Sequence, residues 1–168
     1  IDWFIGSDLL GSKPAPILLY PVDGICRNDN NSYVNYGEVR KIHQIVLDLV
    51  GTTCNNRKIA ENDIGIIAPY RQQVRALKEL HLESIVIGTT ESFQGSEKPI
   101  IIISTVRSGG GNIGFLRDFR RFNVAITRAK SLLVIVGNIK SLQQDENWKA
   151  MIEYSSRNGR VVNCEREE

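Results

Sequence analysis

Ile100-Ile-Ile-Ile-Ser-Thr-Val106 opens with four isoleucines in succession and has no polar residue at every second place. A strand with one wet face alternates apolar and polar residues, whereas a strand covered on both faces need not, so this run predicts a strand buried on both sides. Four further stretches share its character: Ile17 to Val22, Ile64 to Ala68, Ser84 to Gly88 and Leu132 to Gly137. Between the first two lies Glu38 to Val50, where Val39, Ile42, Val46 and Leu49 recur at three- and four-residue steps and mark one helical face, closed by Gly51. Tyr70 to Leu80 repeats the pattern with Val74, Leu77 and Leu80, and a third helix is expected around Trp148 to Tyr154. Strands alternating with helices predict a three-layer α/β domain, a mostly parallel sheet with helices on both faces.

The chain of 168 residues is about the size of one domain, and 42% hydrophobic with 24% charged residues excludes a disordered chain. Twenty-one Lys and Arg against 19 Asp and Glu leave a net charge of +2, too small by itself to argue for a nucleic acid or an anionic membrane. The distribution says more. Between Ile100 and Lys140 stand Arg107, Arg117, Arg120, Arg121, Arg128, Lys130 and Lys140 against Asp118 alone, while the residues from Gln143 onward lean acidic. Cys26, Cys54 and Cys164 include no C-x-x-C pair, which argues against a disulfide framework or a zinc site and for a reduced, cytoplasmic setting. The longest apolar run, Pro99 to Ser104, falls far short of the ~20 residues of a membrane span. Residues 1–16, with Gly11, Pro14 and Pro16 and no initiator methionine, read as a connector from a preceding domain rather than a packed element, leaving 17–168 as the domain proper. Cys26 to Tyr36, Thr52 to Arg57 and Ser108 to Gly114 read as loops.

Open parallel sheets bind ligands at the carboxyl ends of their strands, which directs attention to the residues after each apolar run. On one continuous helix Arg121 and Arg128, seven apart, face the same way, and a planar guanidinium suits phosphate. The plainer alternative is a solvated basic face. In Thr89-Thr-Glu-Ser-Phe-Gln-Gly-Ser-Glu97, Gly95 lets backbone amides approach a phosphate, Glu97 can accept from ribose hydroxyls, and Thr89 and Thr90 can donate to a nucleic-acid backbone. The same stretch also reads as a mere turn with a buried Phe. Ala68-Pro69-Tyr70 ends a strand and starts a helix, where free amides favour an anion. Tyr70 either stacks a base, worth roughly 1–3 kcal/mol, or caps the core. Ser108 to Gly114 lacks the Gly-Lys-Ser/Thr of a phosphate loop, and His43 and His81 have no second ligand at metal spacing, so no metal site is expected.

Three of these segments match a known family in order and spacing. Ile64-Gly-Ile-Ile-Ala-Pro-Tyr70, the Phe93-Gln-Gly-Ser-Glu97 core and Arg121-Phe-Asn-Val-Ala-Ile-Thr-Arg-Ala-Lys130 resemble motifs IV, V and VI of superfamily 1 helicases. The chain is similar, over roughly residues 17 to 163, to the second RecA-like domain of the Upf-like branch. Ile101-Ile-Ile-Ser-Thr-Val-Arg-Ser108 and the pair Asn147-Trp148 with Glu153-Tyr154 look most like its Armitage/Mov/SDE group of RNA-silencing helicases. The resemblance implies a C-terminal motor domain of an ATP-dependent 5′-to-3′ RNA helicase in small-RNA silencing or RNA turnover. It implies Arg128 as the arginine finger, Gly95 and Glu97 on the nucleotide, Arg121 as support for the motif VI helix or as a ligand, and Pro69, Tyr70, Thr89, Thr90 and Arg107 on the RNA side. ATP with Mg2+ would be held mainly by a first RecA-like domain, since the lysine-bearing phosphate loop and the Asp-Glu strand end belong there. The implied partners are single-stranded RNA, that first domain and RNA-silencing proteins. Where many Upf-like proteins carry Asn-Arg-x-Glu, this chain has Asn35-Tyr36-Gly37-Glu38, which removes one phosphate arginine and leaves Tyr33 or Tyr36 to flank the adenine. That departure keeps a second expectation in play, a non-catalytic RecA-like module docking RNA or protein.

Overall fold

The computed structural model of the chain describes residues 3–29, 32–93, 97–109 and 114–163. In chain order the strands are β1 (Ile17–Pro21), β2 (Cys26–Asp29), β3 (Ser32–Asn35), β4 (Thr53–Cys54), β5 (Arg57–Lys58), β6 (Ile64–Ala68), β7 (Val86–Thr89), β8 (Lys98–Ser104), β9 (Ala129–Gly137) and β10 (Arg160–Val161). The helices are α1 (Tyr36–Leu49), α2 (Arg71–Lys78), α3 (Phe119–Ile126), α4 (Ile139–Leu142) and α5 (Glu146–Asn158). Six strands join in one sheet in the order β10-β1-β9-β8-β6-β7, with every pairing parallel. This is a RecA-like α/β domain.

The isoleucine run explains the layering. In β8, Ile100 and Ile102 join Ile64 and Ile66 of β6 and Leu132 and Val134 of β9 in one core with Ile42, Ile45 and Val46 of α1 and Leu77 of α2. Ile101 and Ile103, one residue out of phase, join Leu133 and Ile135 in a second core with Phe122 of α3 and Trp148 and Ile152 of α5. Successive side chains of a strand point to opposite faces, so a strand between two helical layers needs apolar residues at every position. Register fixes the cross-strand neighbours, with Ile102 beside Ile66 and Val134. Phe122 meets the Trp148 ring edge-on at 5.0 Å, which seats α3 against α5.

Local signals set the helix ends. Asn35 caps α1 by accepting from the Glu38 N–H, and beyond the last turn Gly51 sits at φ 87, a left-handed conformation that glycine adopts without penalty. Asp145 caps α5 in the same way through the Trp148 N–H at 3.0 Å.

Three expectations need correction. Residues 3–16 form no strand or helix, yet they pack: Trp3, Phe4 and Leu10 are buried, and the Trp3 indole donates to the Cys54 carbonyl at 3.0 Å. The apolar area of two aromatics and a leucine outweighs the local grammar of Gly and Pro. The Asn-rich stretch after Cys26 supplies two antiparallel strands, β2 and β3, and Thr52 to Arg57 falls in a hairpin of β4 and β5 turning on Asn55 and Asn56 at φ 48 and 66. Asparagine tolerates positive φ, so an Asn-Asn pair suits a two-residue turn between strands as well as it suits a loop.

Candidate nucleic-acid and nucleotide site

The strand ends divide the candidate residues into two groups. At the carboxyl ends of β6, β7 and β8 lie Pro69, Tyr70, Thr89, Thr90 and Arg107. The Arg107 guanidinium lies over the Tyr33 ring, 3.9 Å from its centroid, and donates to the Tyr70 hydroxyl at 3.3 Å. Tyr33 and Tyr70 are themselves in tilted contact at 5.0 Å. Tyr70 is only 4% exposed, so its ring serves the core and offers no open face to a base; its hydroxyl serves Arg107. The base-stacking alternative for Tyr70 is therefore set aside. Gly114, at φ 61, rests on this pair so closely that a Cβ would meet Arg107 Nη1 at 2.5 Å and the Tyr70 hydroxyl at 2.8 Å.

Beneath Arg107 lies a buried polar network. Glu38 is fully buried; its Oε1 accepts from Ser104 Oγ at 2.8 Å and from the Val106 N–H at 3.0 Å. Asn35 Nδ2 donates to the Val106 carbonyl at 2.9 Å, to the Gly24 carbonyl at 3.1 Å and to Glu38 Oε2 at 3.2 Å. Gln73 of α2 accepts from the Asn35 N–H at 2.8 Å and donates to the Asn35 carbonyl and to Ser104 Oγ. Burial pushes the Glu38 carboxyl up to about 7, against the opposing pull of the Val106 and Ser104 hydrogen bonds.

The crossover from β7 to β8 carries the second group. Phe93 is 1% exposed and sits where a Cβ on Gly65 would approach it at 2.9 Å and one on Gly88 at 3.3 Å, so two strand glycines make room for one ring. Phe93 N–H and Ser92 Oγ both hydrogen-bond the Thr89 carbonyl, a tight turn that carries the chain over the sheet. Farther on, Glu97 faces Lys130 at 3.3 Å, and Arg121 holds Glu91 at 2.9 Å. Gly95 lies outside the described residues.

Arg128 does not share a helix with Arg121. α3 ends at Ile126, Thr127 caps it, and Arg128 occupies the turn that feeds β9, where Ala129 pairs with Lys98. The β-branched Ile126 and Thr127 are poor helix continuers, and the strand pairing claims the chain at once. The Arg128 carbonyl accepts from the Lys98 N–H at 3.3 Å. Its Nε is buried with no hydrogen-bond partner among the described residues, as is Thr90 Oγ1. Glu97, Lys130 and Arg128 thus cluster at the amino ends of β8 and β9, contrary to the rule that ligands gather at carboxyl ends. Tyr36, at the start of α1, is 49% exposed and belongs to the opposite end, because its neighbour Asn35 binds Val106 beyond β8. The two ends are separated by the length of β8, roughly 20 Å at ~3.3 Å per residue.

Comparison with known proteins decides the family. A family model described as "AAA domain" matches residues 9–140. The chain is 40% identical over 168 residues to "Putative helicase mov-10-B.1" of Danio rerio, covering 86% of this chain and 17% of that protein. It is 34% identical over 172 residues to "RNA helicase Mov10l1" of Homo sapiens, covering 96% of this chain and 14% of that protein. With "Probable RNA helicase armi" of Drosophila melanogaster it shares 35% identity over 150 residues, covering 82% of this chain and 12% of that protein. The chain belongs to the superfamily 1 RNA helicases of the Armitage/Mov10 group. It spans 17% or less of the length of these three relatives.

For this helicase family, the fit of a nucleotide can be tested on Arg128. The buried Arg128 Nε, without a partner among the described residues, suits a hydrogen-bond acceptor such as a phosphate oxygen. Among the described residues no group of three or more His, Cys, Asp or Glu side chains is placed to hold a metal ion, and no helix is long and apolar enough to cross a membrane. The network around Glu38 escaped the sequence reading in most of its members: Gln73 and Ser104 carry no motif of their own. One signal was present, since Asn35 and Glu38 stand at the spacing of an N-cap and its third helical residue. Glu38 does not complete that box, because Gln73 takes the Asn35 N–H and Glu38 turns to Val106.

Proposed function

We propose that residues 17–168 form the second RecA-like motor domain of an ATP-dependent 5′-to-3′ RNA helicase acting in small-RNA silencing, with residues 1–16 leading in from a preceding domain. The observation that carries this reading is the buried Nε of Arg128 without a partner, on the residue that the family resemblance marks as the arginine finger. A guanidinium Nε left without a partner inside its own domain is stabilised when an anion arrives from across a cleft. When bound with Mg2+, ATP supplies a γ-phosphoryl group whose developing charge an arginine stabilises. This chain contributes Arg128 toward that charge and Glu97 toward the ribose, with Gly95 two residues before it in the sequence. Arg121, paired with Glu91, braces α3 against the crossover rather than touching the nucleotide.

Single-stranded RNA is assigned to the opposite end of the sheet, where Arg107 is exposed in part and Pro69 and Thr89 stand at the ends of β6 and β7, while Thr90, at 5% exposure, lies beneath that surface. A motor tracks the phosphate backbone and tolerates every base, which fits an arginine fixed by aromatic neighbours. The first RecA-like domain completes both sites, and RNA-silencing proteins in the cytoplasm are the expected company, in keeping with relatives named Mov10l1 and armi. The test is Arg128→Ala in the intact helicase. RNA-stimulated ATP hydrolysis is expected to collapse with the thermal midpoint preserved, and near-normal turnover would remove the arginine-finger assignment.

A further inference from the structure

Val106 is a β-branched residue at φ 69, a backbone conformation that Val adopts only when its surroundings enforce it. The enforcing groups are identifiable. Its N–H is taken by Glu38 Oε1 and its carbonyl by Asn35 Nδ2, so both polar groups of one residue are held by the N-terminus of α1. The side chain of Val106 is itself fully buried. The next residue is Arg107, and the turn at Val106 sets the direction in which it leaves the sheet. From there its guanidinium reaches the Tyr33 ring, and Tyr33 sits on β3 two residues before the cap Asn35.

We propose that Asn35 and Glu38 are positioning residues for RNA: by clamping the Val106 backbone in its left-handed turn they hold Arg107 flat on Tyr33, aimed outward at a phosphate. The inference rests on the assignment of RNA to this end of the sheet. Substitution chemistry sharpens it. Ser104 Oγ and the Val106 N–H donate to Glu38 Oε1, and Asn35 Nδ2 donates to Oε2. A glutamine of nearly the same shape that keeps its oxygen on Ser104 Oγ and the Val106 N–H turns its NH2 against Asn35 Nδ2, the group that holds the Val106 carbonyl. In place of Asn35, a serine keeps an oxygen to cap α1, but its single hydroxyl ends one bond short of the amide that reaches the Val106 carbonyl.

The experiment is a double-mutant cycle in the intact helicase, reading the affinity for single-stranded oligouridine over a salt series. Arg107→Ala is expected to weaken binding roughly tenfold and to lower the salt slope by about one counterion. Glu38→Gln should reproduce most of that loss and the same change of slope, and the double variant should bind no worse than Arg107→Ala alone. In ATPase assays Glu38→Gln should raise the RNA concentration needed for half-stimulation while leaving turnover at saturating RNA near normal. If Glu38→Gln does not fold, Asn35→Ser enters the cycle in its place. Losses that add, or a Glu38→Gln variant with unchanged RNA affinity, overturn the positioning role while leaving Arg107 as an RNA contact. If Arg107→Ala itself binds RNA normally, the assignment of RNA to this end fails and the positioning role falls with it.

Discussion

Arg107 and Arg128 stand at opposite ends of the same two central strands and are held in opposite ways. Arg107 is stacked on one tyrosine, bonded to another and launched from a clamped backbone, so its own domain fixes its direction. Arg128 sits in a turn secured by main-chain bonds, and its Nε waits without a partner among the described residues. The difference teaches which arginine is complete within the domain and which needs something from outside. An arginine whose fork is pre-organised loses little freedom on meeting a phosphate, whereas an orphaned buried donor favours whatever ligand satisfies it.

That contrast can be broken most decisively at Arg128. Arg128→Ala in the intact helicase should lower RNA-stimulated turnover by about 10³-fold or more, the range of an arginine finger, and Arg128→Lys should not restore it. Steady-state ATPase assays beside thermal melts separate this from unfolding. At the other end, the next largest effect is on stability. The folded state holds the Glu38 proton up to about pH 7, against 4.5 for the ordinary carboxyl. Its contribution is therefore fully present below pH 4.5 and is lost as pH rises to about 7, a decline on the order of 3 kcal/mol. Chemical denaturation of the wild type and of Glu38→Gln between these pH values should show that slope in the first and a flatter profile in the second.

A smaller effect is expected beneath Arg107. Tyr33→Leu keeps apolar bulk but removes the ring face, and should weaken RNA binding by about 0.5–2 kcal/mol without touching turnover at saturating RNA. Equilibrium titration with oligouridine measures it. Smallest of all should be Arg121→Ala. The Arg121 and Glu91 side chains are 40% and 53% exposed, so the ion pair is worth no more than about 1 kcal/mol and should change the denaturation midpoint little. A loss of activity as large as that of Arg128→Ala would mean that the two arginines act on one ligand after all.

The strands were legible because burial on both faces leaves a mark that needs no partner to read: Ile100 to Ile103 can hardly lie anywhere but mid-sheet. The arginines were legible as residues and not as places. Within Ala125-Ile-Thr-Arg128 the β-branched Ile126 and Thr127 mark the end of the helix only weakly, and the pairing of Ala129 with Lys98, far back in the chain, settles it before Arg128. The polar network is less legible for the same reason, since Glu38 and Val106 are 68 residues apart and Asn35 and Gln73 are 38 apart. Trp3 and Phe4 were a different matter. Their aromatic content was in view, and the glycines and prolines around them drew the reading toward a connector.

The place of β9 has a consequence for how the domain is made. Among the described residues it alone joins β1 and β10 to the block of β8, β6 and β7, yet it comes late in the chain, at Ala129–Gly137. Until those residues emerge from the ribosome, the isoleucine-rich β8 has a partner on one side only, and β1, synthesised long before, has none. A stretch so apolar and so suited to pairing is hazardous while one edge is bare. Synthesis of this domain therefore includes an interval in which its most adhesive strand is half covered.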